Sequence, residues 1–348
     1  MINEASFNQL AQGKQVGLYT LTTPEGLKVQ ITNYGAKIVS LFVPNAAGEV
    51  ADVVLGFSTL DEWLTQEVYF NGINGRAAGR ASGAQFDIDG TTYHLSKNCG
   101  EHTLHGGYHG FNDKVWDVVE VSDTAIKLHY LSPDGEEGFP GNLHVYVTYL
   151  VQGKDLVIQY DATTDAPTIL NLTNHAYFNL KGEGNGTIND HVLYINASKT
   201  TPVNAVLIPT GEIADVTGTP FDFREPKAIG RDLSVENEQL ANGAGYDHNW
   251  VLDRVSANDL ELAASVHEPA SGRYMEVWTD QPALQFYGGN FFDGSTYGKY
   301  GKTLNYRESI ALETQKYPDT PHHAHFPSTL LNPGETYTHV CVYKFSTK

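Results

Sequence analysis

Cations are scarce in this chain. Its 348 residues carry 22 Lys and Arg against 41 Asp and Glu, a net charge of -19. Phosphate backbones and anionic lipids need clustered Lys and Arg, so this balance opposes a nucleic-acid or membrane partner; solubility accounts for it. Cysteine is scarcer still, with only Cys99 and Cys341. Neither sits in a metal-ligand spacing, and a pair so far apart is no disulfide framework. Free thiols fit a reducing compartment. No uninterrupted apolar run approaches the length of a membrane span. The N-terminal Met1-Ile-Asn-Glu-Ala-Ser-Phe-Asn lacks a basic stretch followed by an apolar one, so it is not read as a secretory signal. These absences point to a soluble cytoplasmic protein. Also missing are a Gly-x-Ser-x-Gly elbow, a dinucleotide fingerprint and a zinc-type Cys cluster. Covalent catalysis and nicotinamide chemistry therefore have no support, and no cofactor or metal is expected.

What is present is material for strands and turns: 34 Gly, 15 Pro, 20 Tyr and an apolar fraction of 41%. Runs rich in Val, Ile, Thr, Tyr and Phe recur from Val16–Leu21 to Thr336–Phe345, bounded by Gly, Pro, Asn or Asp. Asp89-Gly90 between Gln85–Ile88 and Thr91–Leu95 predicts a two-residue hairpin, and Gln152-Gly-Lys-Asp155 predicts another. Helical pattern is confined to Thr59–Thr65 and to Ser234–Leu240, the latter with Ser234 as its expected N-cap. Strands spread over the whole length without a linker predict an all-β protein, one large antiparallel β-sandwich with a few short helices, formed by residues 1–348 as a single domain.

Three segments carry chemistry. If Asn171-Leu-Thr-Asn-His-Ala-Tyr-Phe-Asn-Leu180 runs as a strand, Asn171, Thr173, His175 and Tyr177 share one face, while Leu170, Leu172 and Phe178 face a core. A polar row backed by an apolar one suits the wall of a cleft, although an isolated His on a strand is more often merely satisfied by a neighbour. His102-Thr-Leu-His-Gly-Gly107 sets His105 among glycines that allow close backbone approach. His102, His105 and His109 invite a metal reading, but the glycines oppose a helix and no carboxylate or cysteine completes a shell. In Ser309-Ile-Ala-Leu-Glu-Thr-Gln315, alternation puts Ser309, Ala311, Glu313 and Gln315 on one face. Burial there would raise the Glu313 pKa and make it a better base; an exposed strand Glu is the plain alternative. Smaller polar sites are Arg76 and Arg80 in Gly75–Arg80, Asp247 between aromatics in Gly245–Trp250, and Gln285 before Phe286 and Tyr287. His322, His323 and His325 form a His-rich loop, read as surface rather than as a metal site.

Taken together, these segments resemble the aldose 1-epimerases, the galactose mutarotases, over nearly the whole chain. The Asn-Leu-Thr-Asn-His-Ala-Tyr-Phe-Asn-Leu run around His175 resembles the family signature. Thr103–Gly107 matches its second histidine at His105, and Leu312–Gln315 its catalytic glutamate at Glu313. The resemblance implies a large β-sandwich with a sugar cleft on one sheet. It implies catalysis by Glu313 and His175, with Arg80, His105, Tyr177, Asp247 and Gln285 binding the sugar. The expected reaction interconverts the α and β anomers of free aldohexoses, galactose or glucose, with Glu313 the base at the C1 hydroxyl and His175, kept partly protonated, the acid at the ring oxygen. The small-molecule sugar is the expected partner. One departure is Gly79, where many relatives carry Asn; a side-chain contact to the sugar is expected to be lost there. A glycoside hydrolase using Asp247 and Glu313, and a non-catalytic sugar-binding module, are the rival readings.

Overall fold

Alternating burial is what the long strands obey. Leu143–Gln152 and Asp155–Thr164 bury every second residue, so each presents one apolar face. In the computed structural model, which describes residues 1–66 and 69–348, these strands lie in the middle of a nine-stranded sheet. Its order is Asp117–Val121, Ala125–Ser132, Leu143–Gln152, Asp155–Thr164, Tyr337–Thr347, Arg273–Thr279, Glu261–Glu268, Val192–Ile195, Lys227–Ala228. A six-stranded sheet runs in the order Tyr177–Phe178, Ile310–Gln315, Ala283–Tyr287, Asp247–Val251, Lys199–Thr201, Ala214–Asp215. A four-stranded sheet spans Leu18–Thr22 to Val50–Asp52. All ladders between these strands are antiparallel. One core joins the three sheets: Val147 and Tyr343 from the nine-stranded sheet, Leu284, Ile310 and Leu312 from the six-stranded one, and Val29 and Leu41 from the third. The expected all-β sandwich is the fold observed.

Among the described residues, two short α-helices complete it. Leu60–Thr65 begins at the Thr59 cap, whose side chain accepts from the Glu62 N–H while the Glu62 carboxylate accepts in return from the Thr59 N–H. The second helix is Glu238–Asn242, and its cap is Asn237, not Ser234 as the sequence suggested: the Asn237 carboxamide accepts from both Gln239 and Leu240 N–H groups.

The largest departure concerns residues 168–180. They do not form one strand. Thr168–Ile169 pairs with Leu330–Leu331, Thr173–Asn174 with Ile73–Asn74, and Tyr177–Phe178 with the Glu313 strand. Asparagines make the breaks. Asn171 exchanges side-chain hydrogen bonds with the Lys316 peptide at 3.1 and 2.9 Å, and Asn174 caps a turn at the Ala176 N–H. Asn171 therefore braces the Lys316 peptide, and of the predicted row His175 and Tyr177 are the two that line the cavity holding Glu313.

Candidate active site

Directly opposed residues on antiparallel strands point to the same face. Glu313 lies opposite Gln285, Gln285 opposite Asn249, and Asn249 opposite Thr201. This row crosses the outer face of the six-stranded sheet, while Leu312 and Ile310 go to the core behind it. Asp247 lies in the neighbouring row, opposite Tyr287. The paired short strands Arg80–Ala81 and Thr103–Leu104 bring Arg80 and the following His105 over this face. The cavity between them has a volume of about 320 Å³, and Arg80, His105, His175, Tyr177, Asp247, Gln285 and Glu313 all line it.

His175 Nε2 stands 3.4 Å from Glu313 Oε1, and both residues are buried. The Tyr177 ring stacks on the His175 ring, 4.7 Å apart and 9° from parallel, and so holds the imidazole in place. The His105 ring meets the His175 ring edge-on at 5.1 Å. Asp247 is oriented by Gln285, whose amide donates to it at 2.8 Å, and it lies 3.8 Å from the Arg80 guanidinium. His105 is held with backbone φ at +50°, in the left-handed region. Its Nδ1 accepts from the Gly79 N–H at 3.2 Å, and its own N–H donates to the Gly79 carbonyl at 3.0 Å. A ring whose Nδ1 accepts carries its proton on Nε2, so the neutral His105 presents an N–H donor. Gly79 itself has φ +77°, and an added Cβ would lie 3.0 Å from Pro318 Cβ; the glycine lets the Pro318 turn pack against the arginine segment.

Burial decides the protonation of the pair. Desolvation lowers His175 to about 3 and raises Glu313 well above the ordinary carboxylate range, with Asp247 adding to the rise. His175 is thus not kept partly protonated by its neighbours, as the sequence reading expected: no carboxylate ion offsets its burial. Burial thus favours the uncharged form of each group, a carboxylic acid facing an imidazole.

Among the described residues, His105, His175 and Glu313 form the one group of three or more possible metal ligands, with donor atoms within 4.8 Å of one another. The surroundings do not suit a metal. A ligating His donates its other ring N–H to an acceptor. His105 Nδ1 faces a donor instead, and His175 Nδ1 has no partner. The other histidines have separate roles. His102 Nδ1 accepts from the Gly83 N–H, and His109 pairs with Asp113. His322 and His323 flank Asp319 at 2.7 and 3.5 Å, and His325 bonds the Gly211 carbonyl. Asp319 in turn accepts from the Ser82 N–H and donates its N–H to the Arg80 carbonyl, so this loop braces the arginine segment. Arg76 lies away from the cleft. It is buried, with its guanidinium on Ser132 and the Pro133, Pro140 and Gly141 carbonyls, clamping the 132–142 loop.

Among the cavity-lining groups that sequence reading missed are Thr201, Asn249 and Gln315. Gln315 was placed on the Glu313 face without a role; its amide oxygen and nitrogen are both buried and unpartnered. Asn249 was legible as the second residue after Asp247, had Asp247–Val251 been read as a strand.

Fold and site define a carbohydrate-handling β-sandwich protein with a buried acid–base pair. The chain belongs to the aldose 1-epimerase family, whose sequence profile matches residues 17–344. It is 44% identical to the galactose mutarotase of Sus scrofa over 320 residues, 92% of this chain and 91% of that one. It is 41% identical to the Homo sapiens galactose mutarotase, covering 99% and 98%. The aldose 1-epimerase of Escherichia coli is 34% identical, with 96% of each covered. Among solved structures, an aldose epimerase homologue from C. elegans superposes with TM-score 0.88 at 30% identity, covering 95% and 99%. A galactose 1-epimerase from Lactobacillus acidophilus gives 0.85 at 27% identity, covering 97% of each.

Proposed function

We propose that this chain, as one domain over residues 1–348, interconverts the α and β anomers of free aldohexoses in the cytoplasm, with Glu313 and His175 moving the protons. The carrying observation is the 3.4 Å approach of a buried imidazole and a buried carboxyl group inside one cavity. Glu313 removes the proton from the C1 hydroxyl, the C1–ring-oxygen bond breaks as the C1 carbonyl forms, and His175 donates a proton to the departing ring oxygen. The C1–C2 bond turns, and the reverse transfers close the ring on the other carbonyl face. After opening, the pair is a neutral acid and a neutral imidazole, the form that burial favours. The sugar ring therefore meets the charged tautomer, which has the same proton count, and the open aldehyde meets the neutral one. Donors at His105 and Arg80 stabilise developing negative charge. Asp247 and Gln285 hold ring hydroxyls. Free thiols at Cys99 and Cys341 support a reducing compartment, and no helix among the described residues is long and apolar enough to cross a membrane.

Polarimetry of freshly dissolved α-galactose and α-glucose tests this reading. Accelerated anomer exchange, unchanged after exhaustive chelation, is expected. Loss of activity with EDTA, restored by one divalent metal, would move the chemistry to a metal. An unchanged exchange rate beside tight galactose binding would make the chain a binding module.

A further inference from the structure

Behind the cleft wall a lysine is buried outright. Lys299 is 0% exposed and sits at the tip of a turn, closed by Gly294 N–H on the Leu304 carbonyl and Gly298 N–H on the Lys302 carbonyl. A cation so placed must be compensated. Its Nζ donates to the Val39 carbonyl at 2.7 Å, the Asp52 carboxylate at 2.7 Å, the Val54 carbonyl at 2.9 Å and Ser40 Oγ at 3.4 Å. Glu183 adds Oε2 at 3.2 Å, a buried oxygen with no hydrogen bond of its own. An ammonium has three protons, so these oxygens exceed what it can satisfy, whereas a spherical cation can meet them all. Their distances are longer than the about 2.3–2.6 Å that Ca²⁺ takes. Carbonyls at this longer range suit a large monovalent cation such as K⁺.

The cage is joined to the reacting histidine. Residues 52–55 run beside the segment that follows His175. The Leu55 N–H donates to the Tyr177 carbonyl at 2.9 Å, the Asn179 N–H to the Val53 carbonyl at 2.8 Å, and the Glu183 N–H to the Asp52 carbonyl at 2.8 Å. Tyr177 is the ring stacked on His175. From the other side Phe292, which leads into the Lys299 turn, packs on Tyr177 with ring centres 5.7 Å apart. The Lys299 N–H donates to the Gly56 carbonyl at 2.9 Å and fastens the turn to the same segment.

We propose that Lys299 is a tethered cation in an oxygen cage, and that it positions Tyr177, and through it His175, for proton transfer. With its side chain cut back, the cage takes a free monovalent cation, K⁺ or an alkylammonium. Lys299 is a positioning residue and does not line the sugar cavity. This inference rests on the epimerase reading above.

Lys299→Met keeps the aliphatic stem and removes the charge. Its kcat for galactose should fall by about tenfold or more with KM within about twofold, because a displaced His175 loses transfer geometry rather than sugar contacts. Lys299→Ala leaves room for a free cation. In that variant KCl or propylammonium chloride should raise kcat by about fivefold or more, and the melting temperature by about 3 °C or more, over tetramethylammonium chloride at equal ionic strength. Tetramethylammonium is too bulky for the cage and donates no hydrogen bond. The unaltered protein, its cage already filled, is the control for general salt effects. A Met variant with intact kcat and only a lowered melting temperature would make Lys299 merely structural. If the Met variant fails to fold, kcat of the Ala variant across the salts decides the same point. An Ala variant that responds alike to all three salts, or refolds in none, overturns the cage. The melting-temperature comparison reads the cage whether or not the chain epimerises, so absence of anomer exchange in the unaltered protein would sink the parent reading and leave the cage standing.

Discussion

A buried carboxyl group 3.4 Å from a buried imidazole sets the behaviour of this site. Glu313→Gln keeps the shape of the side chain and removes the base. It should lower kcat by roughly 10²–10⁴-fold while galactose binding largely survives, read from steady-state polarimetry and calorimetric titration. His175→Asn should lose more kcat than His105→Asn, because His105 is fixed by Gly79 as a neutral donor; the opposite order would exchange their roles. The pH dependence follows from the signs of the shifts. Below about 3 His175 gains a second proton while Glu313 keeps its own, and the base is gone. Above the raised Glu313 value the one proton of the pair leaves, and the acid is gone. The kcat/KM profile should be bell-shaped, with its acid limb well below the ordinary histidine range and its alkaline limb belonging to the carboxyl. Glu313→Gln should erase the alkaline limb; an alkaline limb that persists in that variant would assign it to an imidazole. Residue types and family-like motifs singled out His175, Asp247 and Gln285, and strand alternation placed Glu313; all four line the cavity. The protonation of His175 was not legible, because desolvation depends on neighbours distant in sequence.

At the scale of elements, the turn that carries His105 depends on one amide. Asn98 Oδ1 accepts from the Leu104 N–H at 2.7 Å, and its Nδ2 donates to the Leu104 and Gly107 carbonyls, each at 2.9 Å, and to the Tyr69 hydroxyl at 3.1 Å. Asn98→Asp keeps the acceptor and loses every donor, with a negative charge against two carbonyls. The expected result is a fall in kcat of roughly 10- to 100-fold, with sugar affinity and melting temperature nearly preserved. A parallel loss of melting temperature with intact kcat would make Asn98 merely structural. Sequence gave this residue no signal: it is a lone Asn in a loop, and its partners lie six and more residues away. Elements whose side chains alternate cleanly, such as Leu143–Val151, were legible almost to the residue. Asp247–Val251, Asp-His-Asn-Trp-Val, was not read as a strand because its outward residues serve the cleft and its polarity argues against a sheet interior. The segment 168–180 failed for the opposite reason: its alternation is genuine in sequence, but three different sheets divide it.

For the whole molecule, buried histidines set the response to acid. His105, His175, His191, His248 and His339 are all held below the ordinary value by burial, His191 to about 4 and His248 and His339 to about 3. Lowered folded-state values mean that the unfolded chain binds protons first, so their contribution is full above about 6.5 and is lost as pH falls. Glu313 and Glu183, the latter raised to about 7 by burial and by Asp52 against the pull of Lys299, act in the opposite direction and gain as pH falls toward 4.5. The histidines outnumber them. Unfolding free energy from denaturant titration should therefore drop between pH 6.5 and 4.5, by roughly 1.4 kcal/mol per pH unit for each proton taken up in excess. A rise over that interval would contradict their neutral burial. Charge also bears on substrate. Among the described residues lining the cavity, Arg80 is the one Lys or Arg, and it already faces Asp247. The kcat/KM for glucose 6-phosphate should be at least about tenfold below that for glucose at fixed ionic strength, since a dianion would lie uncompensated near two carboxyl groups. A higher value for the phosphorylated sugar would overturn the substrate class and leave the proton transfers standing.

The row from Glu313 to Thr201 also constrains how this sequence can diverge. Every member reaches the cleft by being opposite its neighbour, and a strand's side chains change face at each step. One codon inserted or deleted within Ile310–Gln315 would turn Glu313 toward the core and present an aliphatic residue or Thr314 to the sugar. The same holds for Gln285 and Asn249 on their strands. Length variation among descendants is therefore confined to the connections, such as residues 252–260 and 288–308, while the four strands beneath the sugar change by substitution alone.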